Sequence, residues 1–389
     1  MIDIYSYDMV PLSDFLAEYK ELNANNRFRP VAVGRYGIRT RESIYSKELA
    51  QDYSKNKLIY KDTLTVGMGS VQMDIGILTD DITYSVSPAY HTYRINGINC
   101  DYLRFCLQAR NVDMFERYKK RGSRQGKSID LKAWVHYLIP VYEIDGQLQI
   151  VSTLHKIQSI IDDRMQELQK LDDLVKARFV EMFGNLETNE KCWIEKPLGE
   201  LCEKVIRYPT FYGMDYLASG TRVIRIGNIL EDGHMDIDNA NYVFVYDNVN
   251  NDYPETVIEL FDIVMAVRGD GSAAKRIGII REKSLVGANI SPNLIRIKAA
   301  DSMMHPVYLF YYLTGEVGQK RLDAYVNKTA KKNIAAKDIV KVIVPTPPKD
   351  LQQDFADFVQ QIDKSKFVVQ QALDKAQLLF DSLMQQYFG

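Results

Sequence analysis

The chain has 389 residues, 46% hydrophobic and 26% charged, with a formal net charge of −2 and a pI near 6.3. That is the composition of a folded soluble protein of two or three domains. No apolar run is long enough to span a membrane, and Met1–Val10 lacks a signal-peptide layout, so neither is expected and a cytoplasmic location is.

In chain order, the first landmark is the phrase Val10-Pro11-Leu12. A helix follows near Tyr102–Ala109, and a short run, Tyr137-Leu138-Ile139, ends at Pro140. After Gly146 the apolar period changes. Val151, Leu154, Ile157, Ile161, Met165, Leu168, Leu171, Val175, Phe179 and Met182 recur in steps of three and four, about 3.4 on average, close to the heptad value. Gly184 supplies the stop. The chain then reopens with Lys196-Pro197-Leu198. Strands are expected at Val223–Ile226, Ile277–Ile280 and Leu294–Ile297, with a helix at Val307–Leu313. From Asp350 a second stripe runs through Leu351, Phe355, Phe358, Ile362, Val369, Leu373, Ala376, Phe380 and Leu383, broken by polar Lys366.

The chain repeats itself. Ile129 and Pro140 recur as Ile334 and Pro345, and Phe183-Gly184 as Phe388-Gly389, each 205 positions later. Upstream the offset drifts: it is 186 from Pro11 to Pro197, 200 from Asp62 to Asp262, and 204 from Ser87-Pro88 to Ser291-Pro292. The back of each copy is therefore fixed in register and the front is variable. A shared scaffold with two different readers has that pattern. The expected fold class is α+β, internally duplicated, with globular domains at 1–148 and 185–348. They are separated by long helices at 149–184 and 349–389, which pair antiparallel because neither is stable with its stripe exposed to water. Helices of about 35 residues would hold the domains roughly 50 Å apart.

Local charge departs from the overall sum, and phosphates respond to patches. Between Arg117 and Lys132 lie Lys119, Lys120, Arg121, Arg124 and Lys127 as well, interleaved with Ser123 and Gln125 and opposed only by Asp130. The matching stretch of the second copy carries Lys328, Lys331 and Lys332. A third patch is Arg268, Lys275 and Arg276 on a glycine-rich turn. One such run reads as a solvated face; two at matched positions favour phosphate contact. Arg35, Tyr36, Arg39, Thr40 and Arg41 form a further candidate reader, since arginine suits the paired acceptors of guanine. Tyr208, Thr210, Tyr212 and Asn228 are its counterpart in the second copy, with Asn289 further along.

Catalytic signatures are missing. There is no Asn-Pro-Pro-aromatic tetrad of an amino-methyltransferase and no phosphate-binding G-x-x-x-x-G-K-[ST] loop. His91, His136, His155, His234 and His305 have no metal-ligand spacing. Cys100, Cys106, Cys192 and Cys202 form no C-x-x-C pair and are expected as buried free thiols. No catalytic and no metal residue is assigned.

Several phrases together carry a family resemblance: Val33-Gly34-Arg35-Tyr36-Gly37-Ile38-Arg39, Val223-Ile224-Arg225-Ile226-Gly227-Asn228-Ile229, Asp262 to Gly269, Gly287 to Pro292, and the helix ending Ala177 to Gly184. In this order they resemble the specificity subunits of type I restriction–modification systems. The resemblance implies a non-catalytic DNA-binding subunit whose two target-recognition domains read the halves of an asymmetric bipartite site in double-stranded DNA. It implies two methyltransferase subunits docked on the helices and restriction–motor subunits in the full complex. S-adenosylmethionine, ATP and Mg²⁺ would belong to those partners, with no cofactor in this chain and no membrane partner. The first copy departs from the second at Gly67-Met68-Gly69-Ser70, where the second has Val267-Arg268-Gly269-Asp270-Gly271, so this arginine is not a shared DNA contact. Two alternatives remain. One is the specificity chain of a bifunctional type II restriction–methylation enzyme. The other is a nuclease with its own acidic site, which Mg²⁺-dependent plasmid cleavage would reveal.

Overall fold

The computed structural model describes residues 6–34, 37–44, 52–124, 127–207, 214–267, 276–326 and 334–389. The chain divides into two compact units, 1–167 with 369–389, and 168–368. Each unit holds one globular α+β body, the first half of one long helix and the second half of the other.

In the first unit a four-stranded antiparallel sheet has the order Leu16–Tyr19, His91–Ile95, Thr63–Met68, Met73–Ile77. Strand Asp8–Pro11 pairs with Leu138–Val141. Hairpin Val31–Gly34/Gly37–Thr40 and hairpin Lys119–Arg124/Lys127–Ile129 flank the sheet. Helix Cys100–Tyr118 packs on Met73–Ile77, and its Tyr102, Leu103, Phe105, Cys106 and Met114 are essentially buried. Asn99 caps this helix, its side chain accepting from the Tyr102 N–H at 3.0 Å.

The second unit repeats the plan. Its sheet order is Cys202–Arg207, Leu294–Ala299, Ile263–Ala266, Ile277–Ile279, and Ile194–Pro197 pairs with Ile343–Thr346. A three-stranded sheet is added, in which Thr221–Ile224 lies between antiparallel Val243–Val245 and parallel Asn289–Ile290. Helix Pro306–Thr314 covers the larger sheet. The expected strands at 223, 277 and 294 and the helix at 307 are present within a residue or two, while the helix expected at Tyr102–Ala109 runs from Cys100 to Tyr118. From Leu131 the two copies stay locked: helix Leu131–Trp134 recurs as Ala336–Ile339, strand Leu138–Val141 as Ile343–Thr346, and long helix Ile144–Phe183 as Lys349–Phe388. Each long helix spans 40 residues, and the first begins at Ile144 rather than 149, with Gly146 inside its first turn.

Within each unit the helix halves run antiparallel. In the first, Phe105 touches both His155 and Phe380, and Tyr142, just before the first helix, donates to the Tyr387 carbonyl near the end of the second. In the second, Phe183 meets Phe355, and Asp172 pairs with Lys366. That ion pair accounts for the break in the second stripe: the Lys366 ammonium is satisfied across the seam. Met165, placed on the first seam by periodicity, is 57% exposed; Arg164 is half-buried there and bonds Glu167. Gly184 takes a left-handed φ of +75° and ends the helix, and Lys191 donates to the Glu181 and Met182 carbonyls left open at its terminus. The segment Leu186–Asn189 is a packed turn, with Leu186 in the core and Asn189 bonded to Trp193.

Candidate nucleic-acid interface

In the first unit the Gly69–Gln72 turn and the start of the basic hairpin lie toward one end of the sheet. Helix Cys100–Tyr118 starts beyond the last residue of strand His91–Ile95 and runs back along the sheet. At Asn111 it passes the turn Gly69–Gln72, and it ends by delivering Lys119 and Lys120 into the basic hairpin. Asn111 is buried and clamps the turn, donating to the Met73 carbonyl at 3.1 Å and accepting from its N–H at 2.8 Å. The paired strands Val31–Gly34 and Gly37–Thr40 lie on Met73–Ile77. Asp74 sits beneath both Gly34 and Gly69, within 4 Å of where a Cβ on either would stand.

Charges at this end are partly compensated. Lys119 pairs with Glu116, Lys120 with Asp130 at 3.2 Å, and Arg117 with Asp113 at 2.8 Å. The Arg117 and Tyr137 hydrogen bonds help hold Asp113 below the usual carboxylate range, that of Tyr137 foremost. These are exposed pairs that a phosphate can replace at small cost. Arg39 and Thr40 are exposed on their hairpin, whereas the Arg41 guanidinium lies 5.3 Å from the centre of the Tyr53 ring. Arg121, Ser123, Arg124 and Lys127 are placed on the basic hairpin by its strand pairing. Arg35, Tyr36 and Gln125 lie outside the described residues.

In the second unit Tyr208, Thr210, Tyr212, Arg268, Lys275, Lys328, Lys331 and Lys332 lie outside the described residues. Arg276 is half-buried and donates to the Ile229 carbonyl at 3.1 Å. Asn228 and Asn289 do not offer the surface amides expected of them. Asn228 is 2% exposed, accepts from the Arg225 N–H and donates to the Asn241 carbonyl; Asn289 is fully buried and donates to Asn250. Both brace the polypeptide locally. Arg222, and Arg225 of the family-like phrase, are likewise bound to carbonyls of neighbouring loops.

Sequence reasoning missed a buried ionic cluster. Arg296 is fully buried, with its Nε 2.7 Å from Asp262 and an Nη 2.7 Å from Glu259. Burial pushes the Asp262 carboxyl up, against the hydrogen bonds it accepts, while Lys298 and Arg296 pull Glu259 down to about 2. Asp262 opens one of the family-like phrases, and here it holds the sheet together. Of the four thiols, Cys106 is buried, Cys100 and Cys202 are half-buried, and Cys192 is exposed, contrary to expectation. Among the described residues no three of His, Cys, Asp and Glu are grouped to hold a metal ion, and no helix is long and apolar enough to cross a membrane.

Two solved structures share this fold over nearly the whole chain. One belongs to a type I R-M system studied for its complex assembly and conformational transition. It is 16% identical, with a TM-score of 0.57 over 99% of this chain and 98% of its own. The other is the type I restriction–modification S subunit of M. genitalium, 14% identical, with a TM-score of 0.55 over 99% and 96%. The duplicated α+β body with its long helices is thus the fold of type I specificity subunits. Residues 190–375 match the family model of the type I restriction modification DNA specificity domain. The EcoBI type I restriction enzyme specificity subunit of Escherichia coli is 23% identical over 281 residues, 64% of this chain; the match spans 57% of that relative's length.

Proposed function

We propose that this chain is the DNA-reading subunit of a type I restriction–modification enzyme. Each globular body reads one half of a bipartite, asymmetric site in double-stranded DNA. The long helices set the gap between the halves and dock two methyltransferase subunits, and restriction–motor subunits complete the enzyme. Methylation and cleavage reside on those partners, with their S-adenosylmethionine, ATP and Mg²⁺; this chain contributes recognition and placement. The observation that carries the reading is the repeated plan. Two bodies with the same four-stranded sheet order are joined to long helices that stay in register where the front parts of the two copies do not.

The chemistry fits a division of labour in which backbone contacts position the protein and base edges specify the sequence. Lys119→Ala, Lys120→Ala, Arg121→Ala and Arg124→Ala combined are expected to weaken DNA binding and flatten its salt dependence, because each phosphate contact releases counterions. Assembly with the methyltransferase should persist. Filter binding of the purified complex over roughly 50–200 mM salt measures this; an unchanged affinity and slope would remove the basic hairpin from the interface.

A further inference from the structure

We infer that Val71, at the tip of the Gly69–Gln72 turn, reads a base in the first half-site, and that the group it recognises is the 5-methyl of a thymine. The inference rests on the DNA-reading function proposed above. Val71 is 69% exposed, among the highest exposures of any large apolar side chain described. A single exposed valine on a protein surface means little; its setting gives this one meaning.

The tip is held from every side. Met68 pairs directly with Met73 across the turn, and Asn111 fixes both polar groups of the Met73 backbone from the helix behind. A Cβ on Gly69 would stand 2.2 Å from the Gln72 carbonyl oxygen, so the turn closes tightly and only glycine fits there. Val71 therefore projects from a fixed point, and a β-branched side chain has little rotamer freedom to lose when it docks. Its surroundings suit phosphate tracking: the same helix that clamps the turn leads into Lys119 and Lys120, and Gly34 comes close to Asp74 beside the turn. An apolar tip has no bond to offer a phosphate. In the major groove, the one apolar group displayed on a base edge is the thymine methyl. In the sequence of the second copy the corresponding stretch between strands is the longer Arg268–Lys275, so the two copies differ in residue type where Val71 stands. Asn111 is the positioning residue.

The test uses the chain assembled with its methyltransferase partner. Methylation-sensitive sequencing first defines the wild-type motif. Binding is then measured to duplexes in which each thymine of the first half-site is replaced in turn by deoxyuridine, which lacks only the methyl. Wild type should lose roughly fourfold affinity at one position, the transfer value of one buried carbon. V71A should show no loss at that position and should relax that position alone in its methylation motif, while V71I keeps discrimination. Equal binding to all uracil duplexes by wild type, or an unchanged motif for V71A, overturns the assignment of Val71. A wild-type complex that methylates no bipartite motif overturns the function beneath it, a separate failure.

Discussion

Arg296 shows how a side chain without a visible role in the sequence can decide a fold. Its guanidinium has no solvent exposure, and its partner Asp262 is 1% exposed. Arg296→Ala leaves that carboxylate buried without its cation, and a broken buried pair typically costs about 3–5 kcal/mol. Urea unfolding should register that loss; a change below about 1 kcal/mol would mean that the cluster contributes no specific support. Glu259, at the solvent edge of the same cluster, adds a pH signature. Its folded pKa lies near 2, below its ordinary 4.5, so its contribution is complete above that ordinary value and is lost as pH falls from 4.5 toward 2. Glu259→Gln should be less stable than wild type at neutral pH and converge on it in acid. A stability difference that does not shrink as pH falls would contradict this. None of this was legible from Asp262 and Arg296 as letters, because the pairing of Val264 with Arg296 across two strands is a tertiary fact. Asn228 and Asn289, picked by residue type as DNA contacts, are buried braces, since an amide suits a buried loop brace as well as an adenine.

At the scale of elements, the long helices were the most legible part of the chain, because a seam of about 3.4-residue spacing declares itself without tertiary information. What the seam could not reveal is how each helix is anchored. Gln147 and Gln352, both in the first turn of a long helix, do this in the same way. Gln147 accepts from the Asn99 N–H at 3.0 Å and donates to the Tyr142 carbonyl at 2.8 Å; Gln352 accepts from the His305 N–H at 2.7 Å and donates to the Pro347 carbonyl at 2.8 Å. Each ties its helix to the capping residue of the helix covering the adjacent sheet. Tyr102 and Tyr308 add matched bonds to the Pro140 and Pro345 carbonyls. The glutamines stand 205 positions apart, so the repeat register could have identified them. Gln147→Ala should cost about 1–3 kcal/mol by leaving a buried N–H and carbonyl unpaired. It should also loosen the junction, visible as faster amide exchange at Asn99 with the sheet amides unaffected. Exchange unchanged at Asn99 would show that the clamp is not what fixes the helix start.

For the whole molecule, the fixed register of the helices against the drifting register of the two front parts is the feature on which the proposed function rests. A ruler that must keep its length tolerates no insertion, and readers of different sequences need not share loops. The repeat was visible because Phe-Gly, Pro and Ile landmarks recur at one offset; the division into units was not, because each unit takes half of each helix and is discontinuous in sequence. The divide falls at Glu167–Leu168 and at Val368–Val369, well inside the helices, whereas the turn at Leu186–Asn189 is packed and unsuited to insertion. The most direct test of the account lengthens the ruler there. Four helix-forming residues inserted at both points add about 6 Å at 1.5 Å each, a spacing that helical pairs absorb by local unwinding. The account predicts that the methylated motif keeps both half-site sequences while the unread gap grows by one or two base pairs at about 3.4 Å per step. An active complex whose gap stays the same, or whose half-sites change, would contradict it.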